Sequence, residues 1–168
     1  AKEMIEVAKE SGSDAVKFQL FRADYLYPDG GELYDIFKSI ELNAEWIPEL
    51  IGYAGQCGIT FLASAFDYES VGVLEESDIP AHKIASSETT NLAFLNHVAS
   101  TDKPVIISTG VAEESDIKEA VEFIFQEIHR LAEVHEFRVI MIMDADRGEF
   151  RQITTGSDGS TSKIQKLT

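Results

Sequence analysis

Gly58-Ile59-Thr60-Phe61-Leu62-Ala63-Ser64 decides the fold class, because a helix-ending glycine runs straight into a short apolar strand. Glycine is common just past a helix end, where positive φ carries no Cβ penalty. The helix before it spans about 43–56, with Asn43 as N-cap and Trp46, Leu50 and Ile51 on the apolar side. After the strand, about Tyr68 to Glu76 reads as a short helix, and Ala81-His82-Lys83-Ile84-Ala85-Ser86 as the next strand.

The same alternation extends both ways. Upstream, Ala1, Met4, Ile5 and Ala8 form the apolar stripe of a helix that Ser11-Gly12 ends, and Ala15 to Phe21 follows as a strand. Downstream, a helix from Asn91 to about Ala99 leads through Asp102-Lys103-Pro104 to the strand Val105-Ile106-Ile107-Ser108-Thr109-Gly110. Glu113 to about Val134 reads as a long helix, and Phe137 to Met143 as a fifth strand. Strands alternating with helices imply an α/β fold, a parallel sheet with crossover helices. Strand starts near 59, 81 and 104 recur at about 22 residues, which favours repeated βα units. A barrel and an open doubly wound sheet both satisfy this pattern. No Gly-x-Gly-x-x-Gly turn and no Walker loop follows a strand, which argues against a nucleotide site.

Two segments break the rhythm. Residues 22–42 are long for a βα loop, and long βα loops shape active sites in barrels. Beyond residue 143, Asp144-Ala145-Asp146-Arg147-Gly148 reads as a turn rather than a calcium loop, and Glu149 to Thr155 as the returning strand of a hairpin. Residues 156–163 are turn-rich and expected to be mobile. The domain reading is therefore a partial (β/α) barrel over 1–143 and an atypical hairpin-like tail over 144–168.

Composition narrows the function. The chain has 168 residues, 44% of them hydrophobic and 26% charged, so a core of useful size is possible. A complete (β/α)₈ barrel typically needs about 250 residues. A formal charge of −16 argues against a nucleic-acid or anionic membrane surface. The single cysteine, Cys57, excludes an internal disulfide, and no apolar run is long enough to span a bilayer. A cytoplasmic location is expected.

Polar residues gather where the strands finish. Lys17 and Gln19, two apart, share one strand face, as do Ser64 and Phe66. Ser86 and Glu88 share another, while Lys83 has the wrong parity to join them unless the strand bends. Ser108 ends the fourth strand. Each residue alone has a bland reading as a turn, cap or solvated edge; recurrence at four strand ends favours a site. Lysines with hydroxyls suit a small molecule carrying phosphate and carboxylate. His82, His97, His129 and His135 lack metal-ligand spacing and read as structural or surface residues.

Four ordered blocks carry a family resemblance: Ala15-Val16-Lys17-Phe18-Gln19, Phe61-Leu62-Ala63-Ser64-Ala65-Phe66-Asp67, Lys83-Ile84-Ala85-Ser86-Ser87-Glu88 and Ile107-Ser108-Thr109-Gly110. In order and spacing they resemble the second to fifth βα units of the sialic acid synthase family, over roughly residues 1–125. The resemblance implies a TIM (β/α) barrel, here without its first and last strands, which condenses phosphoenolpyruvate with an N-acyl amino sugar such as N-acetylmannosamine. It implies that Lys17, Ser64, Lys83, Ser86 and Ser108 contact phosphoenolpyruvate. It also implies that Gln19, Phe66 and Glu88 face the sugar and the reacting centre, with Glu88 as the catalytic candidate. A divalent metal, Mn²⁺ or Mg²⁺, is implied too, its ligands lying outside this chain. The chain departs from the family at Ser64-Ala65, where Thr-Pro is common, at Ser87, where Gly is common, and at Met141-Ile142-Met143-Asp144, which replaces a His-Cys-Thr-like run. Two readings result. One is a sialic-, legionaminic- or pseudaminic-acid-type synthase. The other is a non-catalytic or truncated relative that binds an anion or a partner chain, with homo-oligomerisation or completion of the barrel by another chain expected of a partial barrel.

Overall fold

The computed structural model describes residues 1–131, 139–144, 149–155 and 161–167, with side-chain environments given through residue 124 and at 126. The chain divides into two compact units, Ala1–Pro80 and Ala81–Thr168.

The first unit opens with helix α1 (Lys2–Glu10) and strand β1 (Ala15–Leu20). Of the expected α1 stripe only Ile5 is buried, while Met4 is 60% exposed. The helix is tied instead by polar contacts to α4 (Ile47–Cys57) and its C-terminus. Lys2 Nζ lies 2.5 Å from Glu49, and the Tyr53 hydroxyl donates to Glu6. Lys9 Nζ donates to the Gly58 carbonyl at 2.8 Å. The Glu6 carboxylate pushes the Tyr53 phenol up to about 12. Gly58 closes α4 with φ 68°, a left-handed conformation that glycine adopts without strain. Asn43 caps as expected, but on a 3-10 turn, Ala44–Trp46, that precedes α4; its side chain accepts from Glu45 N at 3.0 Å.

Strand β2 (Thr60–Ala65) runs parallel to β1, with Val16 opposite Phe61, Lys17 opposite Leu62 and Gln19 opposite Ser64. Parity assigns Val16, Phe18, Leu20, Phe61, Ala63 and Ala65 to one face, where Phe18 and Phe61 stack with centroids 5.4 Å apart. Burying Val16, Leu20, Phe61, Ala63 and Ala65 with Ile47, Leu50 and Ala54 of α4 stabilises the unit, at roughly 25 cal/mol per Å² of apolar surface removed from water. Helix α5 (Tyr68–Glu76) follows β2, its first turn capped by Asp67, which accepts from Ser70 N at 2.8 Å.

Residues 22–42 are not an irregular loop. They form helices α2 (Ala23–Leu26) and α3 (Glu32–Ile40). Leu33, Ile36, Phe37 and Ile40 fall at i, i+3, i+4 and i+7, a helical signal that the reading of 22–42 as a loop overlooked. Asp24 accepts from the Tyr34 hydroxyl at 3.0 Å and Lys38 at 3.3 Å, and Glu41 accepts from Ala23 N at 2.8 Å. The Tyr34 and Lys38 bonds hold the Asp24 carboxyl below its usual range.

In the second unit, strands β3 (His82–Ile84), β4 (Val105–Ser108) and β5 (Val139–Asp144) are parallel neighbours. Helices α6 (Leu92–Ala99) and α7 (Glu114–Leu131) connect them. Ile84, Phe94, Leu95, Val98, Val105, Ile107 and Ile124 form the buried core. His82 is 1% exposed and faces this core side with Ile84. Strand β6 (Glu149–Thr155) pairs antiparallel with β5, and β7 (Thr161–Leu167) antiparallel with β6. Thr161, Ser162 and Lys163, read as part of a turn-rich stretch, begin β7. The expected turn at 145–148 and the stretch 156–160 lie outside the described residues. None of the helices among the described residues is long and apolar enough to cross a membrane.

Candidate functional site

In the first unit the β1–β2 register fixes one polar face. Lys17 and Gln19 lie on it with Leu62 and Ser64, and Gln19 stands directly opposite Ser64. Lys17 and Gln19 are exposed, whereas Ser64 is only 2% exposed. Among the described residues neither the Lys17 ammonium nor the Ser64 hydroxyl has a hydrogen-bond or ion-pair partner in the protein. Buried hydroxyls are almost always satisfied, which makes the unmatched Ser64 hydroxyl a candidate site group. Although solvent reaches Lys17, enough protein surrounds its ammonium that desolvation lowers its pKa below the ordinary lysine value. Phe66 follows the end of β2 and meets Phe21 edge-on, centroids 6.1 Å apart. It is half-buried, and its ring is packed against protein on that side.

A separate cavity of about 480 Å³ opens near the end of β1, lined among others by Leu20, Arg22, Lys38, Glu41 and Glu69. None of the candidate site residues lines it. Its cations are already engaged: Arg22 pairs with Glu69, and Lys38 with Glu41 at 3.2 Å.

In the second unit β3 ends at Ile84, earlier than the sequence suggests, and Ser86–Glu88 form a 3-10 turn. This corrects the strand-parity reading of Ser86 and Glu88 and resolves the position of Lys83. Lys83 stands opposite Ile106, so it shares a face with Ser108, the last residue of β4. It is 7% exposed, and its Nζ donates to the Ser108 Oγ at 2.6 Å and the Ile84 carbonyl at 2.6 Å. Burying an ammonium is costly unless hydrogen bonds compensate, and these two do so. Thr89, fully buried, donates its hydroxyl to the Ser108 carbonyl at 3.0 Å, fastening the turn to the end of β4. Glu88 is half-buried on that turn and accepts from Asn91 Nδ2 at 2.9 Å. Thr89 and Asn91 were missed because a helix start explains both residue types locally; only the strand end at Ile84 gives them another use.

Among the described residues no group of three or more His, Cys, Asp or Glu side chains could hold a metal ion. His97 is half-buried near the end of α6, and His129 and His135 have no described side-chain environment.

The polar faces acquire a family context from known proteins. A model of the NeuB family matches residues 4–144. This chain belongs to the NeuB family. An uncharacterized protein of Methanocaldococcus jannaschii is 41% identical over 121 residues, which cover 72% of this chain and 36% of that protein. The N,N'-diacetyllegionaminic acid synthase of Legionella pneumophila is 37% identical over 136 residues, covering 73% and 38%. Among solved structures, the N-acetylneuraminic acid (sialic acid) synthetase of Leptospira borgpetersenii, in complex with citrate, superposes with TM-score 0.72 at 27% identity. That match covers 75% of this chain and 44% of the other. The chain thus spans less than half the length of each of these relatives. The likeness supports the α/β, partial (β/α)-barrel architecture expected from the alternating strands and helices.

Proposed function

We propose that this chain carries the phosphoenolpyruvate-binding part of a nonulosonic acid synthase, a cytoplasmic transferase that joins phosphoenolpyruvate to an N-acyl amino sugar such as N-acetylmannosamine. The observation that carries this reading is a diagonal that occurs twice. Lys17 stands opposite Leu62 with Ser64 two residues on, and Lys83 stands opposite Ile106 with Ser108 two residues on. Each parallel pair therefore presents one ammonium and one hydroxyl on the same face, a combination suited to the phosphate and carboxylate of this substrate. Ser86, on the turn after β3, adds a hydroxyl to the set.

In the proposed reaction the methylene carbon of phosphoenolpyruvate bonds to the aldehyde carbon of the sugar, water adds at the neighbouring carbon, and phosphate departs. Glu88 is the proton-handling group, with Gln19 and Phe66 orienting the sugar. The names of the legionaminic acid synthase and the sialic acid synthetase matched above support this substrate class. The family match ends at residue 144, which supports treating 1–143 as the barrel portion and 144–168 as an addition to it.

Two titrations test the proposal. Phosphoenolpyruvate should bind in calorimetry, and both Lys17→Ala and Lys83→Ala should weaken it. The isolated chain should not complete the condensation, because the implied metal ligands lie outside it; phosphate release dependent on the amino sugar and Mn²⁺ would refute that. Absence of phosphoenolpyruvate binding overturns the reading, and binding that survives both lysine substitutions favours a mere scaffold over a binding site.

A further inference from the structure

We propose that Asn91 is a positioning residue that holds the Glu88 carboxylate in place, using the half of its amide that the helix cap leaves over. The proposal rests on the reading of Glu88 as the proton-handling group. Asn91 is the N-cap of α6, and its Oδ1 accepts from Phe94 N at 3.2 Å. Its Nδ2 donates to Glu88 Oε2 at 2.9 Å. Only one orientation of the amide satisfies both partners, since a carboxylate accepts and a backbone N–H donates. The cap therefore sets the donor, and the donor sets the carboxylate.

Residue chemistry at this position is informative. Asn, Asp and Ser are about equally good N-caps. Of these three, only Asn adds an amide donor pair. Asp would place a second carboxylate against Glu88, and Ser is too short to supply the same arm. The backbone around Glu88 is fixed as well. Glu88 N donates to the Ala85 carbonyl at 3.0 Å, and Asn91 N donates to the Glu88 carbonyl at 3.0 Å. Thr89 ties the same turn to the Ser108 carbonyl, and the Ser108 hydroxyl receives Lys83. Within this unit, the chain Lys83–Ser108–Thr89 places the turn, and the last rotatable part, the Glu88 side chain, is held on Oε2 by Asn91 at 2.9 Å, with a longer contact from the Ser87 hydroxyl to Oε1 at 3.4 Å.

Three variants separate positioning from helix capping: Asn91→Asp, Asn91→Ser and Glu88→Gln. Asn91→Asp and Asn91→Ser keep an acceptor for Phe94 N, so both should melt close to the parent. With the barrel completed by its partner chain, both should nonetheless lower kcat for phosphate release, with phosphoenolpyruvate, N-acetylmannosamine and Mn²⁺ as probes, by about tenfold or more while KM for phosphoenolpyruvate stays unchanged. A parental kcat in Asn91→Asp, alongside a slow Glu88→Gln, overturns the proposal and leaves the assignment of Glu88 standing. A parental kcat in Glu88→Gln instead sinks the assignment of Glu88 itself. A second readout needs no turnover. The Asn91 side-chain amide resonances in a ¹⁵N correlation spectrum should move in Glu88→Gln, and unmoved resonances overturn the contact on which the inference stands.

Discussion

Lys17 and Lys83 occupy equivalent places in two parallel strand pairs, yet the surrounding protein treats their ammonium groups in opposite ways. The register offset to the paired serine is the same in both. Lys83 is 7% exposed and bonded at 2.6 Å to Ser108 and to the Ile84 carbonyl. Lys17 is exposed and has no protein partner among the described residues, while Ser64 beside it is buried and equally unmatched. The two pairs also differ in the segment after each strand. Beyond β3 the chain folds at once into the 3-10 turn 86–88, whereas β1 continues into the separate helices α2 and α3. One pair is thus organised by contacts within the protein, and the other keeps its hydrogen-bonding groups unmatched among the described residues. Preorganised cations give the larger share of binding, because the ordering cost has already been met in folding.

The largest expected effect stems from that contrast. Lys83→Met should reduce phosphoenolpyruvate affinity about 30-fold or more, since losing one member of a buried charged contact costs about 2–5 kcal/mol. Thermal stability should hold, because a methionine of similar length replaces a desolvated charge with an apolar chain. Calorimetry and melting curves on the same samples check both halves; parental affinity would erase the distinction between the two lysines. The serines give a second contrast at equivalent positions. Ser108→Ala removes an acceptor from a buried ammonium and should cost about 1–3 kcal/mol of unfolding free energy. Ser64→Ala removes a hydroxyl that no protein group uses, so stability should be unchanged or slightly higher, while phosphoenolpyruvate affinity falls about fivefold, near 1 kcal/mol. Denaturant titration of the pair is decisive. Equal losses for both serines would mean that Ser64 is bonded within the protein.

The alternation of apolar strands and helices was legible because each strand is bounded by a signal of its own, Gly58 before β2 and Pro104 before β4. The common face of Lys17 and Gln19 was legible too, since parity within one strand needs only a regular strand, whereas the place of Ser64 on that face required the β1–β2 register. Parity failed at Ser86 and Glu88 for a physical reason: Ala85 leaves the ladder and the chain turns, and nothing in Ala85-Ser86-Ser87 forbids either a strand or a turn. The α2–α3 segment was overlooked although its helical spacing was present. Its apolar residues are not a buried stripe: Leu33, Ile36 and Ile40 are 54%, 49% and 64% exposed. Part of what holds α3 to its surroundings is the polar network of Asp24, Tyr34, Lys38 and Glu41, whose links to Asp24 from Tyr34 and Lys38 span ten and fourteen residues and follow no local pattern. The bond from Lys83 to Ser108 joins residues far apart in sequence and required the strand register before it could be seen.

The smallest expected effect concerns Lys17, and its sign discriminates between the two lysines. Desolvation lowers the pKa of Lys17 in the folded chain below the ordinary 10.5. The unfolded chain therefore binds this proton more tightly, and the charged lysine slightly opposes folding wherever both states are protonated. That opposition is fully present below the lowered folded-state pKa. It fades as pH rises from there towards 10.5, where the folded lysine has already lost its proton. Lys17→Met should accordingly be a little more stable than the parent near neutral pH, with the gap closing on the alkaline side. Phosphoenolpyruvate binding should show the opposite trend, weakening in the parent across the same interval as the cation is lost and staying flat in Lys17→Met. Paired unfolding and binding titrations from pH 7 to about 10.5 measure both. A stability gap that widens with pH would mean that a carboxylate or ligand, rather than desolvation, governs Lys17, and the two strand pairs would then differ less than their burial suggests.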